Sequence, residues 1–87
     1  MTKKWALITG ATVGIGDSFA RLLASKGYNL VINARSIDKL GERAAFLREK
    51  FGVEVVILTA DLATECEVVE KYLTDNEIDV LINNAGF

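Results

Sequence analysis

The sequence predicts an α/β fold built on a parallel sheet, and two observations support that prediction. Four short apolar runs alternate with segments in which apolar residues recur every three or four positions, the spacing of a helix face. The apolar runs show no alternation with polar residues, which is typical of strands that helices cover on both faces. Together these patterns indicate βαβ units, whose crossovers are right-handed in nearly all known cases.

The first half of the chain contains two strands and the first helix. Residues 5–9 form a short apolar run that ends at Gly10, which predicts a buried strand. Residues 15–26 predict a helix that ends before Gly27. Its apolar positions are Ile15, Phe19, Leu22 and Leu23. Residues 28–34 predict the second strand.

The second half repeats the alternation. Residues 36–51 predict an amphipathic helix, residues 54–59 a third strand and residues 78–83 a fourth. Thr64 and Glu67 have the spacing of a capping box, which predicts that a third helix begins there and runs to about residue 76. The expected buried face of that third helix comprises Leu62, Cys66, Val69 and Leu73. On this face Cys66 would be a buried, inert thiol.

The pattern fixes the fold class but not the order of the strands. A doubly wound sheet in the order 3-2-1-4 would place the first two helices on one face and the third on the other. We expect residues 1–87 to form a single, partial dinucleotide-binding domain with about four strands in the order 3-2-1-4, three helices and no second domain.

Composition excludes several classes of function. The 87 residues contain no histidine and one cysteine, so we expect no histidine-based catalysis, no disulfide framework and no metal site. Net charge is −2, which does not suit a nucleic-acid partner. No apolar run approaches 18 residues, so we expect no membrane span, and a reducing, cytoplasmic environment is the default expectation.

The segment between the first strand and the first helix predicts a phosphate site. Its sequence is Thr-Gly-Ala-Thr-Val-Gly-Ile-Gly, from Thr9 to Gly16. Three glycines in seven residues allow a sharp turn and a close approach of the backbone to a ligand. The free amides and the positive end of the following helix favour a phosphate. A strand, a glycine turn and a helix in that order are the context of a dinucleotide site.

This glycine spacing, with the preceding threonine, resembles the Thr-Gly-x3-Gly-x-Gly motif of the short-chain dehydrogenase/reductase family. Two further motifs extend the resemblance over essentially the whole chain. Asp61-Leu62 resembles the family's acidic-apolar pair at the adenine, and Asn83-Asn84-Ala85-Gly86 matches its Asn-Asn-Ala-Gly signature. The run from Asn33 to Ser36, with Lys39-Leu40, is most similar to NADPH-dependent ketoreductases and hydroxysteroid dehydrogenases.

The end of the second strand predicts the choice of cofactor. An acidic residue there would bind the adenosine ribose and repel a 2′-phosphate, whereas this chain has Ala34, Arg35 and Ser36. The guanidinium of Arg35 suits a phosphate, and Ser36 adds a hydroxyl, so we predict NADP(H) rather than NAD(H). The predicted cofactor-binding residues are Gly10, Thr12, Gly14, Ile15, Gly16, Arg35, Ser36, Asp61, Leu62, Asn83, Asn84, Ala85 and Gly86.

Other polar residues near this site have a structural interpretation or none. The resemblance implies that Thr9 holds the sheet, and we expect Asn83 and Asn84 to tie loop backbone together. Asp17 has no functional interpretation from the sequence, and its negative charge should weaken cofactor binding slightly.

The catalytic residues of the family are absent from these 87 residues. Its reductases use a tyrosine followed four residues later by a lysine, but Tyr28 is followed by Ile32 and Tyr72 by Asn76. The chain therefore resembles the amino-terminal, nucleotide-binding portion of an NADP(H)-dependent carbonyl or alcohol oxidoreductase, and we expect it to be inactive alone. The alternative is a stand-alone NADP-binding or interaction module without catalysis. A flavodoxin-like receiver domain fits less well, because receivers carry an acidic cluster where this chain has glycines.

The predicted sheet also suggests self-association. In the family a fifth strand flanks the fourth, and these 87 residues provide no such strand. The backbone of residues 80–82 would then present an unpaired edge, which is a template for pairing with another chain. We expect a homodimer or a larger assembly through the fourth strand.

Overall fold

A computed structural model describes residues 4–11 and 14–84 as one parallel sheet with helices on both faces. The strands are β1 (Trp5–Thr9), β2 (Asn29–Ala34), β3 (Val55–Thr59) and β4 (Val80–Asn83). The helices are α1 (Gly14–Ser25), α2 (Ile37–Phe51) and α3 (Leu62–Asp75). The sheet has the order β3-β2-β1-β4 with every pair parallel, which confirms the predicted class and strand order.

The strand register aligns the carboxyl ends of three strands at one edge of the sheet. Thr9, the last residue of β1, lies opposite Asn33 of β2 and Asn83 of β4. Adjacent strands are about 4.8 Å apart, so the loops that follow β1, β2 and β4 are close neighbours. In parallel α/β sheets this edge is where ligands bind.

Alternate side chains of the strands enter two separate cores. Ala6, Ile8, Leu30 and Ile32 lie in the core beneath α1 and α2. Leu7 and Val31 point to the opposite face, where they contact the α3 residues Val69, Tyr72 and Leu73. The first two helices thus share one face and the third covers the other, as the strand order requires.

Helix α1 faces the sheet mainly with small residues, and only Leu23 of its four predicted apolar positions packs against the core. Gly16, Ala20 and Ala24 are buried, which lets the helix axis lie close to the strands. Of its larger apolar side chains, Leu23 packs against the core as predicted, whereas Ile15 is 66% exposed, Phe19 37% and Leu22 49%. Helix α2 buries Leu40, Ala44 and Leu47 at its expected three- and four-residue spacing and packs Phe51 against the same core, whereas Ile37 at its start is 63% exposed.

The prediction of a buried Cys66 is wrong. Helix α3 begins at Leu62, before the predicted cap at Thr64, and its backbone leaves helical geometry at Glu65 (φ −130°, ψ 32°). The spacing from Leu62 to Cys66 therefore does not run along one continuous helix, and the thiol is exposed.

Strand β4 stands at the end of the sheet, and in the part of the chain that the structure describes it pairs with β1 alone. Val80 and Ile82 pack against the core beneath α1, whereas Leu81 is 49% exposed on the α3 face. Across the ranges 4–11 and 14–84, no helix has both the length and the apolar character needed to cross a bilayer.

Candidate cofactor site

The turn after β1 brings backbone amides to the carboxyl edge of the sheet. Gly10 (φ 62°) and Gly14 (φ 51°) adopt left-handed conformations that side chains rarely tolerate. The amide of Ala11 donates to the carbonyl of Asn33 at 3.0 Å, which fastens the start of the turn to β2. Helix α1 begins at Gly14, so its free amides and positive dipole end lie at this edge.

Gly16 allows α1 to approach the end of β1 closely. A Cβ atom at this position would overlap the carbonyl oxygen of Gly10 and lie 2.7 Å from Nδ2 of Asn84. No side chain fits there without moving the backbone, so this glycine is required by close packing. The third glycine of the motif therefore shapes the turn that the first two create.

Thr9 and two asparagines, Asn83 at the end of β4 and Asn84 just after it, hold the turn from the other side. The amide of Asn84 donates to the Thr9 hydroxyl at 2.9 Å, and that hydroxyl lies 3.2 Å from Oδ1 of Asn83. The side-chain amide of Asn84 donates to the carbonyl of Gly10 at 3.3 Å. These contacts agree with the structural interpretation of Thr9, Asn83 and Asn84: they join β1, β4 and the glycine turn.

Arg35 and Ser36 follow β2 at the same edge. Arg35 is exposed and makes no ion pair with another described residue. Ser36 is the N-cap of α2, and its hydroxyl oxygen accepts a hydrogen bond from the amide of Lys39 at 3.4 Å. A fixed helix start beside a free guanidinium gives an anion two kinds of partner, a charge and oriented donors.

A buried asparagine that the sequence reasoning left without a role connects β2 to the end of β3. The side chain of Asn33 is almost fully buried, and its amide donates to the carbonyls of Leu58 at 2.8 Å and Ala60 at 3.3 Å. The sequence carries a signal for this role, because a polar residue inside an apolar strand is buried and needs hydrogen-bond partners there.

The predicted adenine pair lies just beyond this junction. Asp61 is partly buried, and its backbone amide donates to Oε1 of Glu65 at 3.1 Å. Leu62 packs against the core beneath α3, so its side chain has a structural contact in addition to any role toward adenine.

Asp17, which had no interpretation from the sequence, is neutralised by two arginines. Its carboxylate lies 3.2 Å from Nη2 of Arg21 and 3.6 Å from Nε of Arg43, and its side chain is only 14% exposed. The second contact is between different helices and could not be inferred from spacing along the chain.

The chain matches the short chain dehydrogenase family over residues 4–87. It belongs to the short-chain dehydrogenase/reductase family. It is 40% identical over 85 residues to the human very-long-chain 3-oxoacyl-CoA reductase. These aligned residues make up 95% of this chain and 27% of that protein. The chain thus spans about a quarter of the length of this relative.

Two solved members of the family have the same fold over nearly the whole chain. A short-chain dehydrogenase from Sphingobium yanoikuyae in complex with NADPH superposes with a TM-score of 0.91 at 42% identity, over 97% of this chain and 34% of that one. L-sorbose reductase from Gluconobacter frateurii, complexed with NADPH and L-sorbose, superposes with a TM-score of 0.88 at 39% identity. The match covers 99% of this chain and 34% of that one.

Most of the predicted site residues converge on one edge of this short-chain dehydrogenase fold. Those that gather around the ends of β1, β2 and β4 are Gly10, Gly14, Gly16, Arg35, Ser36, Asn83 and Asn84. Asp61 and Leu62 follow the neighbouring β3, and Ile15 projects into solvent. The predicted residues Thr12, Ala85 and Gly86 lie outside the described residues. The assembled groups are amides, a hydroxyl and a guanidinium, which suit binding of an anionic nucleotide.

Proposed function

We propose that this chain binds the adenosine end of NADP(H), as the nucleotide-binding portion of an oxidoreductase that acts on a carbonyl or alcohol. The pyrophosphate would bind at the turn from Gly10 to Gly16, over the start of α1. The 2′-phosphate would bind at Arg35 and Ser36, over the start of α2. Asp61 would contact the adenine, and the domain would extend over residues 1–87.

The observation that carries this proposal is the pair of helix starts at one edge of the sheet. Thr9 and Asn33 are register partners, so the glycine turn and the Arg35–Ser36 corner follow neighbouring strands. Each offers a different anion partner: backbone amides at the first, a free guanidinium and a capped helix at the second. A dinucleotide with a 2′-phosphate carries anionic groups at two such positions.

The comparisons support the cofactor and the reaction class. Both solved proteins described above hold NADPH, and the names of two relatives specify a 3-oxoacyl-CoA and a ketose, which are different carbonyl compounds. Similarity to both supports reduction of a carbonyl group as the reaction of the whole protein. It leaves the identity of the carbonyl compound open.

A calorimetric titration tests the cofactor proposal. We expect 2′,5′-ADP to bind at least about tenfold more tightly than 5′-AMP, because a hydrogen bond to a charged group contributes about 1.5–3 kcal/mol. Arg35→Ala should remove most of that preference while leaving 5′-AMP binding nearly unchanged. Lys26→Ala, which removes an exposed cation after the far end of α1, is the matched control and should leave the preference intact. Equal affinity of the wild-type chain for the two nucleotides would contradict the proposal.

We also propose that the chain self-associates through β4, as a homodimer or a larger assembly. Within the described residues β4 pairs with β1 alone, which leaves its outer backbone edge unpaired, and Leu81 beside that edge is half exposed. Such an edge pairs readily with another strand, which supports this proposal. Light scattering at micromolar concentration should give a mass above 9.5 kDa, and Leu81→Lys should move the mass toward that of the monomer. A wild-type monomer at this concentration would refute the proposal.

The exposed thiol of Cys66 fits a reducing compartment, which supports the cytoplasm as the proposed location.

A further inference from the structure

The carboxylate of Asp17 joins two helices that carry different parts of the site. Its contact with Arg21, four residues later, lies within α1 and stabilises that helix alone. Its contact with Arg43 crosses from α1 to α2, with Oδ1 3.6 Å from Nε. No other ion pair or side-chain hydrogen bond between these two helices occurs in residues 4–11 and 14–84. The Asp17–Arg43 pair is therefore their polar connection.

The connection begins beside one proposed anion position and ends about 10 Å along the helix that carries the other. Asp17 follows Gly14, the first residue of α1, by three residues, so it lies in the first helical turn. Arg43 follows the N-cap Ser36 by seven residues, which is two helical turns and therefore the same face of α2. A link between these residues restrains α2 relative to the start of α1, in addition to the apolar core that both helices share.

The two arginines that contact Asp17 reduce the repulsion between its carboxylate and an anion bound at the start of α1. A lone carboxylate in the first turn of α1 would repel a pyrophosphate bound there. Two arginines within 3.6 Å offset that charge, and the side chain is 14% exposed, so it is held in place rather than free in solvent. The chain thus keeps a carboxylate beside an anion site while limiting the repulsion that it causes.

We propose that Asp17 is a positioning residue for 2′-phosphate selectivity. Through Arg43 it holds α2 at a fixed distance from α1, so that a dinucleotide bound at the glycine turn places its 2′-phosphate at Arg35 and Ser36. Asp17 itself contacts no ligand. The inference rests on the proposed function, because it assumes that these two positions bind the two anionic parts of one nucleotide.

The test compares the ratio of two affinities across a set of variants. The ratio is that of the dissociation constants of 5′-AMP and 2′,5′-ADP, measured calorimetrically on the same preparation. Asp17→Asn and Arg43→Gln should each lower the preference for 2′,5′-ADP by about two- to fivefold, the range expected for a partly exposed ion pair. In the double variant the preference for 2′,5′-ADP should fall no further than in either single variant, because both substitutions remove the same link.

Two further variants separate positioning from charge. Asp17→Glu keeps a carboxylate and should retain most of the preference. Glu49→Gln removes one negative charge from the exposed last turns of α2 and should leave the preference unchanged. An unfolded fraction in any variant lowers binding of both nucleotides equally, so the ratio reports on the site rather than on folding.

A different pattern would overturn the inference. If Asp17 acts only through its charge, Asp17→Asn raises the affinity for both nucleotides, and the preference for 2′,5′-ADP stays constant or increases because that nucleotide carries the greater charge. A ratio that does not fall in Asp17→Asn and Arg43→Gln, with a normal preference in the wild-type chain, overturns this inference alone. Absence of a preference in the wild-type chain overturns the proposed function and this inference together.

Discussion

Replacing Gly16 with alanine should destabilise the chain and loosen the glycine turn at the same time. The new Cβ would overlap the carbonyl oxygen of Gly10, lie 2.7 Å from Nδ2 of Asn84 and lie 2.9 Å from the carbonyl carbon of Gly10. Two of these three atoms belong to the backbone, which cannot move aside without distorting the turn. The side chain of Asn84 can move only by giving up its 3.3 Å hydrogen bond to Gly10.

The magnitude follows from these contacts. Overpacking a close contact costs about 1–3 kcal/mol, and loss of the Asn84 hydrogen bond adds about 0.5–1.5 kcal/mol. We therefore expect Gly16→Ala to lower the free energy of unfolding by about 2–4 kcal/mol. In a domain of this size each kcal/mol lowers the melting midpoint by about 4–8 °C, so the midpoint should fall by at least about 8 °C.

Thermal and urea unfolding followed by circular dichroism would measure this effect. Gly41→Ala is the matched control, because Gly41 lies inside α2 with no atom within 4 Å of a Cβ placed there. That control should stabilise the chain by about 0.5–1 kcal/mol, the difference between alanine and glycine in a helix. A Gly16→Ala variant as stable as the wild-type chain would refute the packing argument.

Two other predictions concern the core of the sheet and the chemistry of the chain. Asn33→Leu removes the buried donor to the carbonyls of Leu58 and Ala60, so urea unfolding should show a loss of about 1–3 kcal/mol, and an unchanged midpoint would contradict this role. The purified 87-residue chain should oxidise no NADPH with a panel of aldehydes and ketones, because it lacks the tyrosine-lysine pair that donates the proton. Turnover that follows the protein through purification would contradict the second prediction.

The fold could be predicted from the sequence because its elements are marked locally. Apolar runs such as Leu30-Val31-Ile32 define strands without reference to the rest of the chain, and Ser36 marks the start of α2. The strand order needed more than the pattern, and it came from the resemblance that the glycine spacing and the Asn-Asn-Ala-Gly run carry. The candidate site residues could be proposed from the sequence for the same reason, since most of them lie at or just after the end of a strand.

The features that sequence reasoning missed depend on contacts between distant elements. The break at Glu65 changes the helical phase before Cys66, and nothing in the local spacing signals that break. Helix α1 faces the sheet with Ala20 and Ala24, because only small side chains let the helix lie this close to the strands. The spacing of apolar residues does not indicate how closely a helix packs. The Asp17–Arg43 pair joins residues 26 positions apart in the chain and is visible only once the two helices are packed.

The most direct test of the account is to locate the nucleotide on the chain. Backbone amide signals in NMR spectra, followed during titration with 2′,5′-ADP, report which residues the ligand approaches. We expect the largest shifts at Gly10, Gly16 and Ser36, on the carboxyl edge of the sheet. The opposite edge carries a groove of about 630 Å³ lined by Lys4, Trp5, Tyr72, Asn76, Glu77, Ile78 and Asp79, and its signals should stay in place. Shifts concentrated in that groove, with the glycine turn unaffected, would contradict the central claim that this chain binds its nucleotide where the glycine turn meets Arg35.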